Sequence, residues 1–213
     1  MNIFRFLGDL SHLASIGLLI HSIHTNRSCR GISFKTQLLY AIVFITRYIN
    51  LFRPLTLYLI VMKLFFIGSS LYVIYLMKVK FKPRQEIPLD TLRLDAMLAI
   101  PAVLALLFHF KFTLVEILWS FSIFLEAIAI LPQMFLIQRL GEADTITTHY
   151  IFALGAYRAL YILNWIYRFF FGSKHPFDAI AFFAGLVQTG LYLDFFYIYF
   201  NKVVKGKRFE LPA

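Results

Sequence analysis

Long apolar stretches, each close to the length of a membrane-spanning helix, alternate along the chain with short polar connections. A helix needs about 20 mainly apolar residues to cross the hydrocarbon core of a bilayer. The stretches of this kind cover residues 1–24, 35–52, 56–77, 94–110, 113–138, 148–171 and 177–200. The pattern therefore predicts an all-α membrane protein with about seven transmembrane helices.

A faint internal repeat indicates how these helices are grouped. The stretch 36–41 resembles 148–153, and an arginine follows each of them, Arg47 and Arg158. Some transporters contain parallel repeats of this kind, related by an axis along the membrane normal. We therefore expect one transmembrane domain, 1–213, that contains two three-helix bundles joined by a linker helix. The predicted parts are a first bundle at 1–77, the linker helix at 94–110, a second bundle at 113–200 and a cytosolic tail at 201–213.

Charge predicts the orientation of the chain in the membrane. Hydrophobic residues make up 60% of the sequence and charged residues 15%, yet the formal net charge is +10. With the N-terminus placed on the lumenal or extracellular side, thirteen Lys and Arg lie in the inner connections and tail, and four lie outside. This bias follows the positive-inside rule, so it does not indicate nucleic-acid binding, and it predicts a cytosolic C-terminus.

Candidate chemistry is confined to ionisable residues within the apolar segments. A charge in a bilayer costs at least a few kcal/mol, so such residues usually face a polar cavity or a partner. The members of this group are Arg5, His12, Arg47, Glu116, Glu126, Arg158, Arg168 and Asp194. Four arginines against three acids indicate a cavity that would bind an anionic ligand. The single cysteine excludes an internal disulfide, no Cys/His set has metal-site spacing, and we expect no cofactor and no cleaved signal peptide.

Several of these residues have two interpretations. Arg5, Arg47 and Arg168 lie near the lumenal face without three nearby acids, which favours a carboxylate-binding role in a lumen-facing pocket. A deeper group either joins helices through ion pairs or forms a polar network; it consists of Glu126, Tyr157, Arg158 and Asp194. Trp119 and Trp165 either belong to the aromatic belt or form walls of the pocket. His12 is either a satisfied polar group or a residue that takes up a proton when an anion binds.

Several motifs together carry a resemblance to a known family over nearly the whole chain. They include Gly8-Asp-Leu-Ser-His12, Phe44-Ile-Thr-Arg-Tyr48, Leu125-Glu-Ala-Ile-Ala-Ile-Leu-Pro-Gln133, Asn164-Trp-Ile-Tyr-Arg168 and Asp194-Phe-Phe-Tyr197. With these motifs the chain resembles the ER-lumenal-protein retention receptors, the KDEL/HDEL receptors. The Pro-Gln pair connects that family to PQ-loop and SWEET-type transporters, which implies a SWEET/PQ-loop-like fold.

The resemblance implies a receptor that cycles between Golgi and ER. It would bind the C-terminal Lys/His-Asp-Glu-Leu-type tetrapeptide of escaped ER lumenal proteins at acidic pH and release them at the near-neutral pH of the ER. The implied partners are those proteins, the COPI coat and membrane lipids. The implied location is the Golgi, the ER and transport vesicles.

The resemblance also assigns roles to residues. Arg47 with Tyr48 would hold the terminal carboxylate, Arg5 with Trp119 would contact the Glu, and Arg168 would contact the Asp. The fourth residue from the end would meet Glu116 and Trp165, and Tyr161 would line the pocket. Acid dependence would come from a network of His12, Glu126, Tyr157 and Arg158, with Asp194 counted in the same layer. The coat-binding tail residues would be Lys202, Lys205, Lys207 and Arg208, which also suit a positive-inside anchor.

Two positions depart from the family pattern. Many members have an Asp where this chain has Asn50, which weakens the case for a strongly basic fourth residue in the signal. Glu210 replaces a phosphorylatable Ser of the vertebrate tail, so that form of regulation is not expected here.

Two other functions fit parts of the pattern. A SWEET/PQ-loop-type small-solute transporter would show flux across the membrane and a cavity with mostly neutral polar lining. The arginines near the lumenal face argue against it. An intramembrane enzyme would need a paired catalytic set, and Asp194 has no obvious second Asp, so we expect no catalytic activity.

Overall fold

The computed structural model describes residues 2–50, 57–81, 92–171, 178–206 and 209–210, and these are mostly helical. The helices are α1 (Ile3–Asn26), α2 (Phe34–Arg47), α3 (Leu57–Tyr75), α4 (Leu94–Leu107), α5 (Leu114–Ile128), α6 (Leu131–Leu140), α7 (Thr145–Phe171), α8 (Ala179–Leu191) and α9 (Leu193–Ile198). Helix α3 continues through a π-helical turn at Leu76–Lys80, and α9 through another at Tyr199–Val203. The short strands β1 (Glu142–Ala143) and β2 (Phe209–Glu210) pair antiparallel. The predicted helical class is confirmed.

Several of these helices can cross a membrane by length and composition. Within the described residues, three helices qualify, namely Ile3–Asn26, Leu57–Lys80 and Leu114–Leu140. A fourth candidate is the pair Ala179–Leu191 and Leu193–Val203, bent by 45°. Helix α4 is a shorter apolar helix. The predicted count of seven spans and the transporter-like arrangement remain predictions.

Side-chain caps explain where the helices begin. The side chain of Asn2 accepts a hydrogen bond from the backbone N–H of Arg5 at 2.9 Å, at the start of α1. The Ser33 hydroxyl accepts from the N–H of Thr36 at 3.2 Å, and Asp178 caps α8 through the N–H of Ala181 at 2.9 Å. Each cap satisfies a backbone donor that has no partner within its own helix.

The long apolar segment 113–138 is broken between α5 and α6 at a proline. Pro132 has no N–H to donate to the preceding turn. The N–H of Gln133 donates instead to the Thr36 hydroxyl over 3.0 Å. The Gln133 side chain accepts from the N–H of Ser33 at 2.8 Å and donates to the carbonyl of Gly31 at 2.7 Å. The break therefore positions Gln133 to hold the connection between α1 and α2.

Contacts divide the chain into two compact units. The first unit contains residues 1–27 and 137–213, and the second contains 28–136. The first unit thus joins two segments that are distant in sequence, whereas the second is continuous. The predicted bundles at 1–77 and 113–200, with a linker helix between them, remain a prediction.

The first unit is built around the packing of α1 against α7. Its buried apolar side chains include Leu19, Ile23, Ile151 and Leu154. Gly155 of α7 allows close approach, because a Cβ there would lie 2.6 Å from ring atoms of both Tyr192 and Phe196. The core of the second unit includes Leu39, Val43, Leu76, Ala105 and Leu125.

The outer faces of several helices are apolar as well. In α3, Leu57, Val61 and Leu64 are exposed, and in α4 the same holds for Val103 and Leu107. Soluble proteins seldom expose apolar surface on this scale, whereas a bilayer accepts it without cost. These faces are therefore suited to contact with lipid.

Candidate functional site

In the first unit, an aromatic stack joins α1 to α7. His12 lies flat on the ring of Tyr157, with ring centroids 4.1 Å apart and ring planes at 5°. The buried Arg158 donates a hydrogen bond over 3.0 Å to the Tyr157 hydroxyl. Its guanidinium carbon lies 5.0 Å from the centre of the same ring. The structure thus brings together His12, Tyr157 and Arg158, three of the residues predicted for the acid-dependent network.

The stack continues along α7 through the predicted ligand contacts. Tyr161 lies edge-on to Tyr157, with centroids 6.1 Å apart, and edge-on to Trp165 at 6.0 Å. Trp165 packs against Gly185 of α8, where a Cβ would lie 2.7 Å from the indole ring. These aromatic residues are four apart along α7, and this spacing places them on one helix face.

In the second unit, Arg47 binds an internal carboxylate. It lies in the last turn of α2, and its Nη2 is 2.7 Å from Oε2 of Glu126 in α5. The Glu126 side chain is 1% exposed and that of Arg47 is 14% exposed. Ser122, one turn earlier in α5, accepts from Nε of Arg47 at its hydroxyl and from Nη2 at its carbonyl, both over 3.1 Å. Arg47 is therefore held by one helix face that offers a carboxylate, a hydroxyl and a carbonyl.

This ion pair joins residues that the sequence analysis placed in different groups. Arg47 was expected among three arginines without three nearby acids, and Glu126 was expected to belong to a deeper layer. Residues 47 and 126 are distant in sequence, and the packing of α2 against α5 brings them together. One of the three arginines therefore has a nearby acid.

The residues around Arg47 are fixed mainly by aromatic packing. Tyr48 stacks on Phe44 with ring planes at 7°, and its ring centroid lies 6.4 Å from that of Phe66 in α3. Asn50 is exposed, and its carbonyl accepts a hydrogen bond from Nζ of Lys63 at 2.9 Å. An ammonium group therefore lies beside the position where a carboxylate was expected from the family pattern.

Two other predicted ligand contacts of the second unit lie near the start of α5. Glu116 is in the first turn, where the Thr113 hydroxyl accepts from its N–H at 3.4 Å. Trp119 is half-buried, with its ring 6.4 Å from that of Phe110. Ser122 donates to the Trp119 carbonyl over 2.6 Å, so one hydroxyl joins the backbone of Trp119 to Arg47.

The remaining predicted residues of the first unit lie near helix ends. Arg5 is half-buried near the start of α1, and Arg168 is half-buried in the last turn of α7. Burial raises the pKa of the Asp178 carboxyl, against the opposing effects of the Ala181 N–H and the Arg168 charge. Asp194 is exposed in the first turn of α9, and among the described residues it does not join the His12 stack.

The described part of the tail is basic and accessible. Lys202 is half-buried, and Lys205 is exposed with its Nζ 3.3 Å from the side-chain oxygen of Asn201. Lys207 and Arg208, also predicted for coat binding, lie outside the described residues.

The arrangement contains polar ligands for anions rather than for metals. Within the described ranges, no group of three or more His, Cys, Asp and Glu residues is placed to hold a metal ion. The absence of a metal and of a cofactor stays a prediction.

Several polar residues have structural roles that the sequence analysis did not assign. Asp9 accepts a hydrogen bond from the Tyr161 hydroxyl, Ser122 holds Arg47, and Asp178 lies within the field of Arg168. The helical spacing of Asp9 relative to Arg5 and His12 was visible in the sequence. Its partner on α7 was not, because nothing local pairs residue 9 with residue 161.

Comparison with known proteins gives one consistent result. A family model described as ER lumen protein retaining receptor matches residues 28–168. Over the full length of both chains, the sequence is 53% identical to the ER lumen protein-retaining receptor of Drosophila melanogaster and to ER lumen protein-retaining receptor 2 of Bos taurus. It is also 51% identical to the ER lumen protein-retaining receptor of Saccharomyces cerevisiae, again covering both chains completely.

Proposed function

The chain belongs to the ER lumen protein retaining receptor family, and from this premise we propose that it retrieves escaped ER lumenal proteins from the Golgi by binding a C-terminal Lys/His-Asp-Glu-Leu-type tetrapeptide. Membership of this family makes it a receptor of the secretory pathway rather than a member of an enzyme family. Its apolar helices make it a multi-pass membrane protein.

The observation that carries this proposal is the carboxylate already bound to Arg47. Glu126 and Ser122 hold the Arg47 guanidinium at the end of α2, with its nitrogen atoms facing oxygen atoms. The planar guanidinium fork matches a carboxylate, and such charge-assisted bonds are among the stronger ones in proteins. A peptide that ends in Asp-Glu-Leu brings its own terminal carboxylate, which can take the same kind of place beside Arg47 and Tyr48.

The other two carboxylates of that peptide have arginines available to them. We assign the Glu to Arg5, with Trp119, and the Asp to Arg168. The residue before them would meet Glu116 and Trp165. Arg5 and Arg168 are half-buried, and charges in such positions attract an acidic peptide more strongly than they would in bulk water.

His12 is the group that we propose for acid dependence. It stacks on Tyr157, and Arg158 donates a hydrogen bond to the hydroxyl of the same tyrosine, so the imidazole shares its aromatic partner with a positive charge. An acidic peptide offsets that charge, so binding would favour the protonated histidine and would itself be favoured at low pH. An ordinary histidine pKa is close to the pH range of the secretory pathway. One linked proton changes affinity by at most about tenfold per pH unit.

Asn50 bears on the choice of signal. The Asn50 side chain is neutral, and the Lys63 ammonium donates to the backbone carbonyl of the same residue. This position therefore attracts a basic peptide residue less than an Asp carboxylate would. We expect weaker discrimination between Lys-Asp-Glu-Leu and an uncharged residue followed by Asp-Glu-Leu. Substitution of Asn50 by Asp should restore a preference for the basic residue.

The tail completes the proposed cycle. The basic bias of the connections supports a cytosolic C-terminus, where Lys202, Lys205, Lys207 and Arg208 would bind the COPI coat for the return journey.

Peptide binding tests the proposal directly. Labelled peptides that end in Lys-, His- or Ala-Asp-Glu-Leu would be titrated onto membranes containing the full chain at pH 5.5 and pH 7.4. We expect acid-favoured binding that Arg47→Ala abolishes and whose pH dependence His12→Ala removes. Arg139→Ala, which removes an exposed arginine of α6, serves as the matched control and should bind like the unaltered chain.

The outcomes separate the parts of the proposal. Binding that is equal at both pH values would overturn the acid-dependent step and leave the receptor role. A failure of every peptide to bind at either pH would overturn the receptor role for these signals, and flux of small solutes would then be the function to test.

A further inference from the structure

The first unit contains a buried carboxylate that is not among the proposed ligand contacts. Asp9 of α1 is 9% exposed, and it accepts a hydrogen bond from the Tyr161 hydroxyl of α7. A carboxylate inside a membrane helix is costly, and such residues usually serve a function together with a partner. That partner is the tyrosine proposed to line the peptide site.

The residue before Asp9 fits the same tyrosine. A Cβ at Gly8 would lie 2.8 Å and 2.9 Å from two ring carbons of Tyr161. Side chains do not approach each other so closely, so the ring occupies this position only because residue 8 is glycine. Two consecutive residues of α1 therefore hold Tyr161, one by shape at the ring edge and one by a hydrogen bond at the hydroxyl.

The held ring in turn supports its neighbours on α7. Tyr161 stands edge-on between Tyr157 and Trp165, at centroid distances of 6.1 Å and 6.0 Å. Edge-to-face contacts have a preferred geometry, so a change in the angle of one ring disturbs the next. A fixed Tyr161 therefore also limits the positions open to Trp165.

We propose that Asp9 is a positioning residue for signal recognition, which fixes Tyr161 in its cradle at Gly8 and thereby pre-organises the aromatic wall that the peptide meets. This inference rests on the proposed function, since Tyr161 and Trp165 contact the peptide only under that proposal. Asp9 acts through Tyr161 and does not itself touch the peptide.

Pre-organisation explains why a residue away from the ligand affects affinity. A tyrosine that is free to change rotamer loses that freedom when a ligand binds, whereas a tyrosine that is already fixed does not. Loss of a hydrogen bond to a charged group corresponds to about 10-fold to 100-fold in an equilibrium constant. We expect the lower part of this range for peptide affinity, because the cradle at Gly8 remains.

A double-mutant cycle tests the connection. The full chain in detergent would be titrated with a labelled peptide that ends in Lys-Asp-Glu-Leu, at the pH of strongest binding. We expect Asp9→Ala and Tyr161→Phe each to weaken binding about tenfold, and the double variant to weaken it no further, because both changes break the same bond. Tyr167→Phe, which alters an exposed tyrosine of the same helix, should leave affinity unchanged.

A neutral variant separates hydrogen bonding from charge. Asp9→Asn keeps an acceptor oxygen and removes the charge, so positioning predicts a smaller loss than that of Asp9→Ala. If Asp9 acted as a charge on the peptide or on the nearby Arg5, then Asp9→Asn would equal Asp9→Ala and Tyr161→Phe would have no effect. Glu142→Gln, which neutralises an exposed acid of the same unit, controls for the change in net charge.

The cradle provides a second, independent variant. Gly8→Ala pushes the Tyr161 ring away from α1 and should weaken peptide binding about as much as Tyr161→Phe, at about tenfold. Gly17→Ala lies in the same helix, where the added Cβ would meet nothing within 4 Å beyond the local helix backbone, and it should bind normally. Thermal unfolding of each variant identifies any loss that comes from misfolding, and the milder Asp9→Asn and Tyr161→Phe carry the test if Asp9→Ala does not fold.

The possible failures are distinguishable. Normal affinity in Asp9→Ala, or additive losses in the double variant, would overturn the positioning role while the receptor function stands. A failure of the unaltered chain to bind the peptide would overturn the proposed function and this inference together.

Discussion

Arg47 and Glu126 form an ion pair whose members are both largely withdrawn from water. The side chains are 14% and 1% exposed, and Nη2 and Oε2 lie 2.7 Å apart. The attraction between two such charges is strong, but most of it offsets the cost of burying them. Removal of one member is therefore costlier than removal of both.

Three variants test the coupling between Arg47 and Glu126. Glu126→Gln and Arg47→Gln should each destabilise the folded protein by about 3 kcal/mol, because each leaves an uncompensated buried charge. The double variant should be destabilised by less than the sum of the two. Thermal unfolding in detergent measures all three, and strictly additive losses would show that the pair is not coupled.

Cys29 is a second residue whose chemistry follows from burial. It lies in the connection between α1 and α2, and burial raises the pKa of its thiol from the usual 9.0 to about 11. Because the thiolate is the reactive form, this shift lowers the reactive fraction at neutral pH about a hundredfold. The folded protein holds the proton more tightly than the unfolded chain, so stability falls as pH rises from 9 towards 11.

We therefore predict that Cys29 reports unfolding. A maleimide dye at pH 7.4 should react slowly with the folded protein and rapidly once heat exposes the thiol. Since the chain has one cysteine, the signal comes from this position alone. Rapid labelling at 25 °C, with the fold intact by circular dichroism, would contradict the burial of the thiol.

At the scale of elements, the sequence predicted helix positions better than helix breaks. Apolar runs predicted α1, α3 and α7 within a few residues of their observed ends, because length and hydropathy are local properties. The break between α5 and α6 falls inside the apolar run 113–138, which was predicted as one segment. What completes it is the hydrogen bonding of Gln133 to the segment 31–36, and a contact between residues 100 apart in sequence leaves no local signal.

The role of Gln133 at this break is testable. Gln133→Ala removes the acceptor for the Ser33 N–H and the donor to the Gly31 carbonyl, and leaves both without this partner. We expect a loss of stability of about 2 kcal/mol, within the range for buried groups that lose a hydrogen bond. Gln138→Ala, at an exposed position of the same helix, should change the unfolding temperature little. Equal effects of the two variants would contradict the structural role of Gln133.

At the scale of the whole molecule, the sequence predicted the chemistry of the candidate site but only part of its geometry. The excess of arginine within apolar segments indicated an anion site, and the spacing on α7 placed Tyr157, Tyr161 and Trp165 on one face. The pairing of Arg47 with Glu126 and of Asp9 with Tyr161 depends on which helices pack together, which the sequence pattern does not determine.

The small sheet constrains the topology of the chain independently of its charge. Strand β1 lies in the connection between α6 and α7, β2 lies in the tail, and Ala143 pairs with Phe209. Phe209 is buried and stacks on Phe195, with ring centroids 5.1 Å apart. Paired strands lie on one side of a bilayer, so the chain between them crosses it an even number of times. The basic bias independently assigns the same two segments to the cytosol.

Site-specific labelling tests both arguments at once. In a Cys29→Ser background, single cysteines would replace Glu142, Lys205 and Lys111, all of them exposed, and sealed ER microsomes would be treated with a membrane-impermeant maleimide. We expect the cysteines at 142 and 205 to react from the cytosolic face, and the one at 111, in the connection between α4 and α5, to react only after permeabilisation. Opposite accessibility of 142 and 205 would contradict the β1–β2 pairing in the membrane. Reversal at all three positions would keep the pairing and overturn the orientation that the positive charges predict.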